Sequence, residues 1–104
     1  MTFRAWLREQ SPAPPPRLSN RIGETLGTAL DADLSAAPAL CLASAEALLR
    51  DVLGRPSAGR DVALDLLTVD ALVTYAFELL SADLQTLDDM AAITMRRLAA
   101  TARE

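Results

Sequence analysis

Apolar residues recur three and four positions apart through nearly the whole chain, the spacing of one face of an α-helix. The pattern is interrupted most clearly at Ser11-Pro12-Ala13-Pro14-Pro15-Pro16, where prolines fix φ, remove amide donors and favour extended backbone. Before it, Phe3, Trp6 and Leu7 fall at i, i+3, i+4 and predict a short amphipathic helical arm over residues 1–10. A proline-rich spacer over residues 11–17 is expected to hold that arm apart from a helical domain over residues 18–104. After the spacer, Ser19 is placed to cap a helix whose stripe is Ile22, Leu26, Leu30 and Leu34. Gly23 and Gly27 weaken that helix by about 1 kcal/mol each relative to Ala unless another backbone packs against them.

The next helix opens with Ser35 and Pro38 and runs to Leu53, where Gly54 and Pro56 give the stop signal of a C′ glycine followed by proline. Its core face is Cys41, Ala45, Leu48, Leu49 and Val52, with Glu46, Arg50 and Asp51 opposite. A third helix is predicted to start within residues 57–61 and reach Leu80, apolar around most of its circumference. A turn at residues 81–85 then leads to a last helix, because Thr86 and Asp89 have the spacing of a capping box. That helix carries the stripe Leu87, Ala91, Met95 and Leu98, with Met90 and Ile93 on a second face and Arg96, Arg97 and Arg103 suited to its C-terminus.

The fold class expected is all-α: a small bundle of about four helices with a proline-tethered N-terminal helical arm. Composition agrees, since half the residues are hydrophobic but only 4% are aromatic, the rest being mostly Ala and Leu, which favour helix. At 104 residues one domain is expected.

Charge and missing residue types narrow the chemistry. The chain has no histidine and no lysine, so its ten cations are all arginine, and Cys41 is its single cysteine. No side chain titrates unperturbed near neutral pH, and none can form a Schiff base. The net charge of −4 disfavours a surface that must neutralise phosphates, so no nucleic-acid partner is expected. A helix-turn-helix reading fails because the would-be recognition helix carries Asp61, Asp65 and Asp70. No continuous apolar run long enough for a membrane span is present, and a lone cysteine suggests no disulfide scaffold; a cytoplasmic location is expected. Arginine in place of lysine, with abundant alanine, suits a GC-rich bacterial genome.

Four features could carry function. Cys41 lies on an apolar face with no adjacent base, which reads as a structural thiol. Asp61, Asp65, Asp70 and Glu78 could form an acid/base pair or hard-cation site, but they match no metal-binding spacing, and a solvated acidic face is the plainer reading. Arg50, Arg55 and Arg60 surround the junction of the second and third helices, near amides that could help hold an anion. Pro12, Pro15 and Arg17 match the spacing read by polyproline-binding grooves, a pattern common to proline-rich linkers. The small acidic all-helical format is similar to that of acyl carrier proteins, which carry a prosthetic arm on the serine of Asp-Ser-Leu. The nearest segment here is Asp70-Ala71-Leu72, and Ala71 has no hydroxyl, so that function is not implied.

The expected function is a non-enzymatic protein–protein interaction module, an adaptor or regulatory subunit. Phe3, Trp6, Leu7, Met90 and Ile93 are its expected partner-binding residues. The arm's apolar face is to be covered either by another chain or by its own bundle. The extra apolar surface of the third and fourth helices predicts a homodimer or higher oligomer. The alternatives are a sensor of a small anion or metabolite using Arg50, Arg55 and Arg60, and a carboxylate enzyme using Asp65, Asp70 and Glu78. The enzyme would need one of those acids in a closed cleft with a raised pKa. No cofactor or metal is expected.

Overall fold

The computed structural model describes residues 1–56 and 59–102. Four α-helices, α1 (Phe3–Arg8), α2 (Pro16–Leu26), α3 (Ala37–Leu53) and α4 (Arg60–Ala102), form a small all-α bundle. Two 3-10 turns, Gly27–Asp31 and Leu34–Ala36, join α2 to α3. Ser57, within the expected start of the third helix, and Arg103 lie outside the described residues.

Helix α2 begins one turn earlier than Ser19. Pro15 is extended (φ −54°, ψ 149°) and Pro16 takes the first helical position, where a missing amide costs nothing and a fixed φ suits the helix. Ile22 and Leu26 are buried; then Gly27, at φ +53°, breaks the helix in a conformation that side chains resist. Leu30 and Leu34 therefore lie outside α2, yet both still pack against the core. A Cβ on Gly23 would meet nothing within 4 Å, so no close backbone accounts for that glycine.

Asp33 caps the entry to α3. Its Oδ2 accepts from the Ser35 amide at 3.0 Å and the Ser35 hydroxyl at 2.6 Å. The buried face of α3 is Ala37, Pro38, Cys41, Ala45, Leu48 and Val52, whereas Leu49 is exposed at the rim. Gly54 ends the helix at φ −83° with its amide bonded back to Arg50 and Asp51, so no left-handed cap is used.

The expected turn at residues 81–85 is absent: α4 runs unbroken for 43 residues. That stretch contains neither Gly nor Pro, and Thr86 donates its hydroxyl to the Ala82 carbonyl at 3.1 Å, as a mid-helix threonine does, instead of capping a new helix. Only the first half of α4 joins the core, through Asp65, Thr68, Leu72, Ala76 and Leu79. Residues 80–102 are all exposed, and the molecule measures 71 × 25 × 23 Å.

The N-terminal arm is not held apart. Thr2 caps α1 by accepting from the Ala5 amide at 3.2 Å, and Thr2 bridges to Asp33. The Phe3 amide donates to the Ala32 carbonyl and the Leu34 amide to the Met1 carbonyl, both at 3.0 Å. Phe3 is 1% exposed, inside the core with Leu26, Ala37 and Cys41. Six helical residues cannot persist alone, so α1 settles on the nearest apolar surface, the seam between the 27–36 connection and α4.

Phe3→Ala is expected to lower the stability of the folded chain by about 3–5 kcal/mol, the range for emptying a buried phenylalanine site. Denaturant titration followed by circular dichroism measures it, and a loss below about 1 kcal/mol would mean that the arm is peripheral. Gly23→Ala is expected to raise stability by up to about 1 kcal/mol, because the added methyl meets open space in a helix interior.

Candidate functional site

Two features stand out from an otherwise ordinary small core: a buried acid held by two arginines, and a long apolar stripe with nothing over it.

Asp65 occupies the core-facing register of α4 yet is 3% exposed. Arg21 of α2 donates from Nε to its Oδ1 at 2.6 Å, and Arg55, in the α3–α4 connection, donates from Nη2 to its Oδ2 at 2.7 Å. Both carboxylate oxygens are thereby satisfied by charge-assisted bonds. The two guanidiniums reach outward to other acids, Arg21 to Glu24 at 3.3 Å and Arg55 to Asp51. The Arg21 guanidinium, opposed by burial and aided by Arg55, holds the Asp65 carboxyl below its ordinary value. Asp65 consequently lacks the raised pKa that the carboxylate-enzyme reading requires of an acid. Asp70 lies on the exposed side of α4, and Glu78 is exposed near the end of the packed segment.

The same cluster decides where the three predicted anion-binding arginines go. Arg50 pairs with Glu46 along α3, Arg55 is engaged by Asp51 and Asp65, and Arg60 borders a different depression with Arg17, Ala63, Leu64 and Leu67. They do not converge. An open cleft of about 530 Å³ does border the cluster, lined by Arg21, Glu24, Arg55, Pro56, Gly59, Asp61, Val62, Leu64 and Asp65. Its two cations face three acids in the lining alone, so the charge balance opposes an anion there. Arg21 and its partnership with Asp65 escape a reading along the sequence because the pair is 44 positions apart.

Cys41 is fully buried, and burial pushes its thiol up to about 11, which leaves it neutral and a small apolar filler. Trp6 stands edge-on to Tyr75 with ring centroids 5.6 Å apart and 5.9 Å from Phe3, so three of the chain's four aromatic rings close the arm onto α4. Leu7 is half-buried beside them. Phe3, Trp6 and Leu7 thus meet their own bundle.

The fourth ring, Phe77, starts the second feature. It is 60% exposed, and Leu80, Leu84, Leu87, Ala91, Thr94 and Leu98 continue from it at alternating three- and four-residue steps. Met90 and Met95 flank this stripe on either side, and Ile93 falls on the far side of the helix. Leu84, Leu87, Met90, Ile93, Met95 and Leu98 are between 43% and 65% exposed. Beyond Leu79 every described residue of α4 is exposed. Among the described residues no helix is long and apolar enough to cross a membrane.

Comparison with protein-family models, with curated proteins and with solved structures finds no match to the chain.

The Asp65 cluster yields a pH signature. Its folded-state pKa lies below the unfolded value of about 3.9, so its stabilisation is complete above that value and is lost as pH falls through it towards the folded pKa. Asp65→Asn is expected to cost about 2 kcal/mol at pH 7. That is less than the about 3–5 kcal/mol of a fully buried pair, because the Arg21 and Arg55 side chains are 29% and 28% exposed. The gap between wild type and variant in thermal melts should narrow below about pH 4; a gap constant down to pH 2 would contradict the assignment.

Proposed function

We propose that the chain is a non-enzymatic protein–protein interaction module, an adaptor or regulatory subunit, that works through the distal half of α4. The observation that carries this reading is the stripe running from Phe77 to Leu98, exposed on a helix that leaves its own bundle. An apolar stripe at three- and four-residue spacing is the face by which one helix recognises another helix or a groove. A lone helix gains little from such residues in water, and contiguous exposed apolar surface usually marks an interface.

The chemistry elsewhere supports an interaction role over the alternatives. Asp65 and its arginines form a closed charge network that spans α2, the α3–α4 connection and α4, which suits bracing the base of the projecting helix. Cys41 is neutral and enclosed. The arm residues Phe3, Trp6 and Leu7 act in this reading by locking α4 to the bundle through Tyr75, and partner contact falls to α4, with Met90 beside the stripe. The arginine-only cation set and single thiol suit a bacterial cytoplasm as the setting.

Leu84→Glu and Leu87→Glu test the reading. Each is expected to change the stability of the isolated fold by less than about 0.5 kcal/mol, as exposed substitutions do, while abolishing association. Sedimentation of wild type and variants, with mass spectrometry of whatever chain remains bound after purification from the native host, measures it. A wild-type protein that sediments as a free monomer and retains no other chain would refute the proposal.

A further inference from the structure

We propose that the distal half of α4 pairs antiparallel with the same segment of a second copy of this chain, Asp83 of each copy lying opposite Arg97 of the other. The proposal rests on the interaction reading above and names its occupant.

The repeat of the stripe is seven residues. Phe77, Leu84, Ala91 and Leu98 occupy one core position, and Leu80, Leu87, Thr94 and Thr101 the other. This is the pattern of a two-stranded coiled coil, in which the flanking positions set partner and direction. Here the flanks are Asp83, Met90 and Arg97 on one side and Asp88 and Met95 on the other. All of these residues are exposed and available.

Charge decides the direction. In an antiparallel pair whose two-fold axis passes at the level of residue 89, Leu80 layers on Leu98, Leu84 on Thr94, and Leu87 on Ala91. The same register sets Asp83 against Arg97 on both sides of the axis. Asp88 meets its counterpart once, close to the axis. A parallel, in-register pair would instead face Asp83 with Asp88 twice, two like-charge contacts and no attraction. The asymmetry has a broader base: Glu78, Asp83, Asp88 and Asp89 make the first part of the segment acidic, and Arg96 and Arg97 make the last part basic. Reversing one copy lays the acidic part of each on the basic part of the other.

The body allows this arrangement. Phe77 and Leu80, the last residues beside the bundle, are 60% and 39% exposed, so the tip of a second helix can reach the end of the stripe. A two-fold pairing also closes on itself, leaving no unfilled copy of the surface.

The experiment combines sedimentation equilibrium of the full chain at micromolar concentration with one distance. A spin label on Ala99→Cys, which lies on the helix face away from the stripe, reports direction, and Cys41 is fully buried and does not compete for label. The antiparallel pair separates the two labelled backbones by about 30 Å along the axis, at about 1.5 Å per residue on either side of residue 89. A parallel pair would hold the labels within about 20 Å. Asp83→Arg and Arg97→Asp should each weaken the dimer about tenfold or more, and the double exchange should return it to near wild-type affinity. A dimer with the short label distance, or one in which the double exchange is no better than either single change, overturns the antiparallel register. A monomer that retains a different chain through Leu84 and Leu87 overturns self-pairing but leaves the interaction reading standing. A monomer that retains nothing overturns both.

Discussion

The packing of α4 against α3 is the interaction on which the rest of the structure depends, and it is limited by length. Seventeen residues of α3 span about 26 Å, whereas the 43 residues of α4 span about 65 Å. Side chains on α3 and α2 can cover α4 only as far as about Leu79, and beyond that point the apolar repeat continues without intramolecular cover. The shape of the molecule, a small body with one projecting helix, follows from this mismatch. The proposal that a partner covers the rest has the same origin, because the uncovered segment still carries Leu80, Leu84, Leu87 and Leu98.

Within the body, polar groups are placed to hold α4 at a defined angle without leaving any of them unpaired. Arg21 and Arg55 reach Asp65 from two directions, and Thr68 returns its hydroxyl to the Leu64 carbonyl at 2.9 Å. Among the described residues no buried side-chain nitrogen or oxygen lacks a hydrogen bond. Ten residues further along the helix the Phe3–Trp6–Tyr75 group presses the arm onto α4. Charge pairing near the start of the packed segment and aromatic packing nearer its end hold α4 on the body.

Much of this was legible along the chain, and the failures have physical causes. The buried face of α3 follows from its spacing, with Leu49 displaced to the rim because the stripe is narrower than the run of apolar residues. The amphipathic arm was visible in Phe3, Trp6 and Leu7; its destination was not, because a proline-rich spacer can extend or double back, and which of the two occurs depends on surface formed by residues distant in sequence. The continuity of α4 is masked in the sequence because Thr86 and Asp89 mimic a cap, although no Gly or Pro separates them from the preceding helix. Along the sequence Asp65 reads as a surface acid. The signal was present in its register with Thr68, Leu72, Ala76 and Leu79, a buried stripe whose polar first member implies a cation from another element. The three arginines at the junction lie five residues apart in sequence, and local acids draw two of them away, Glu46 taking Arg50 and Asp51 taking Arg55.

Hydrogen exchange of the α4 amides as a function of protein concentration tests most directly whether the distal half of this helix is completed by association. Amides of residues 65–79, held by the body, should exchange slowly at every concentration. Those of residues 84–98 should be protected at high concentration and lose that protection on dilution, in step with dissociation. Protection of residues 84–98 that does not change with dilution, or rapid exchange at all concentrations, would contradict a projecting helix that needs a partner.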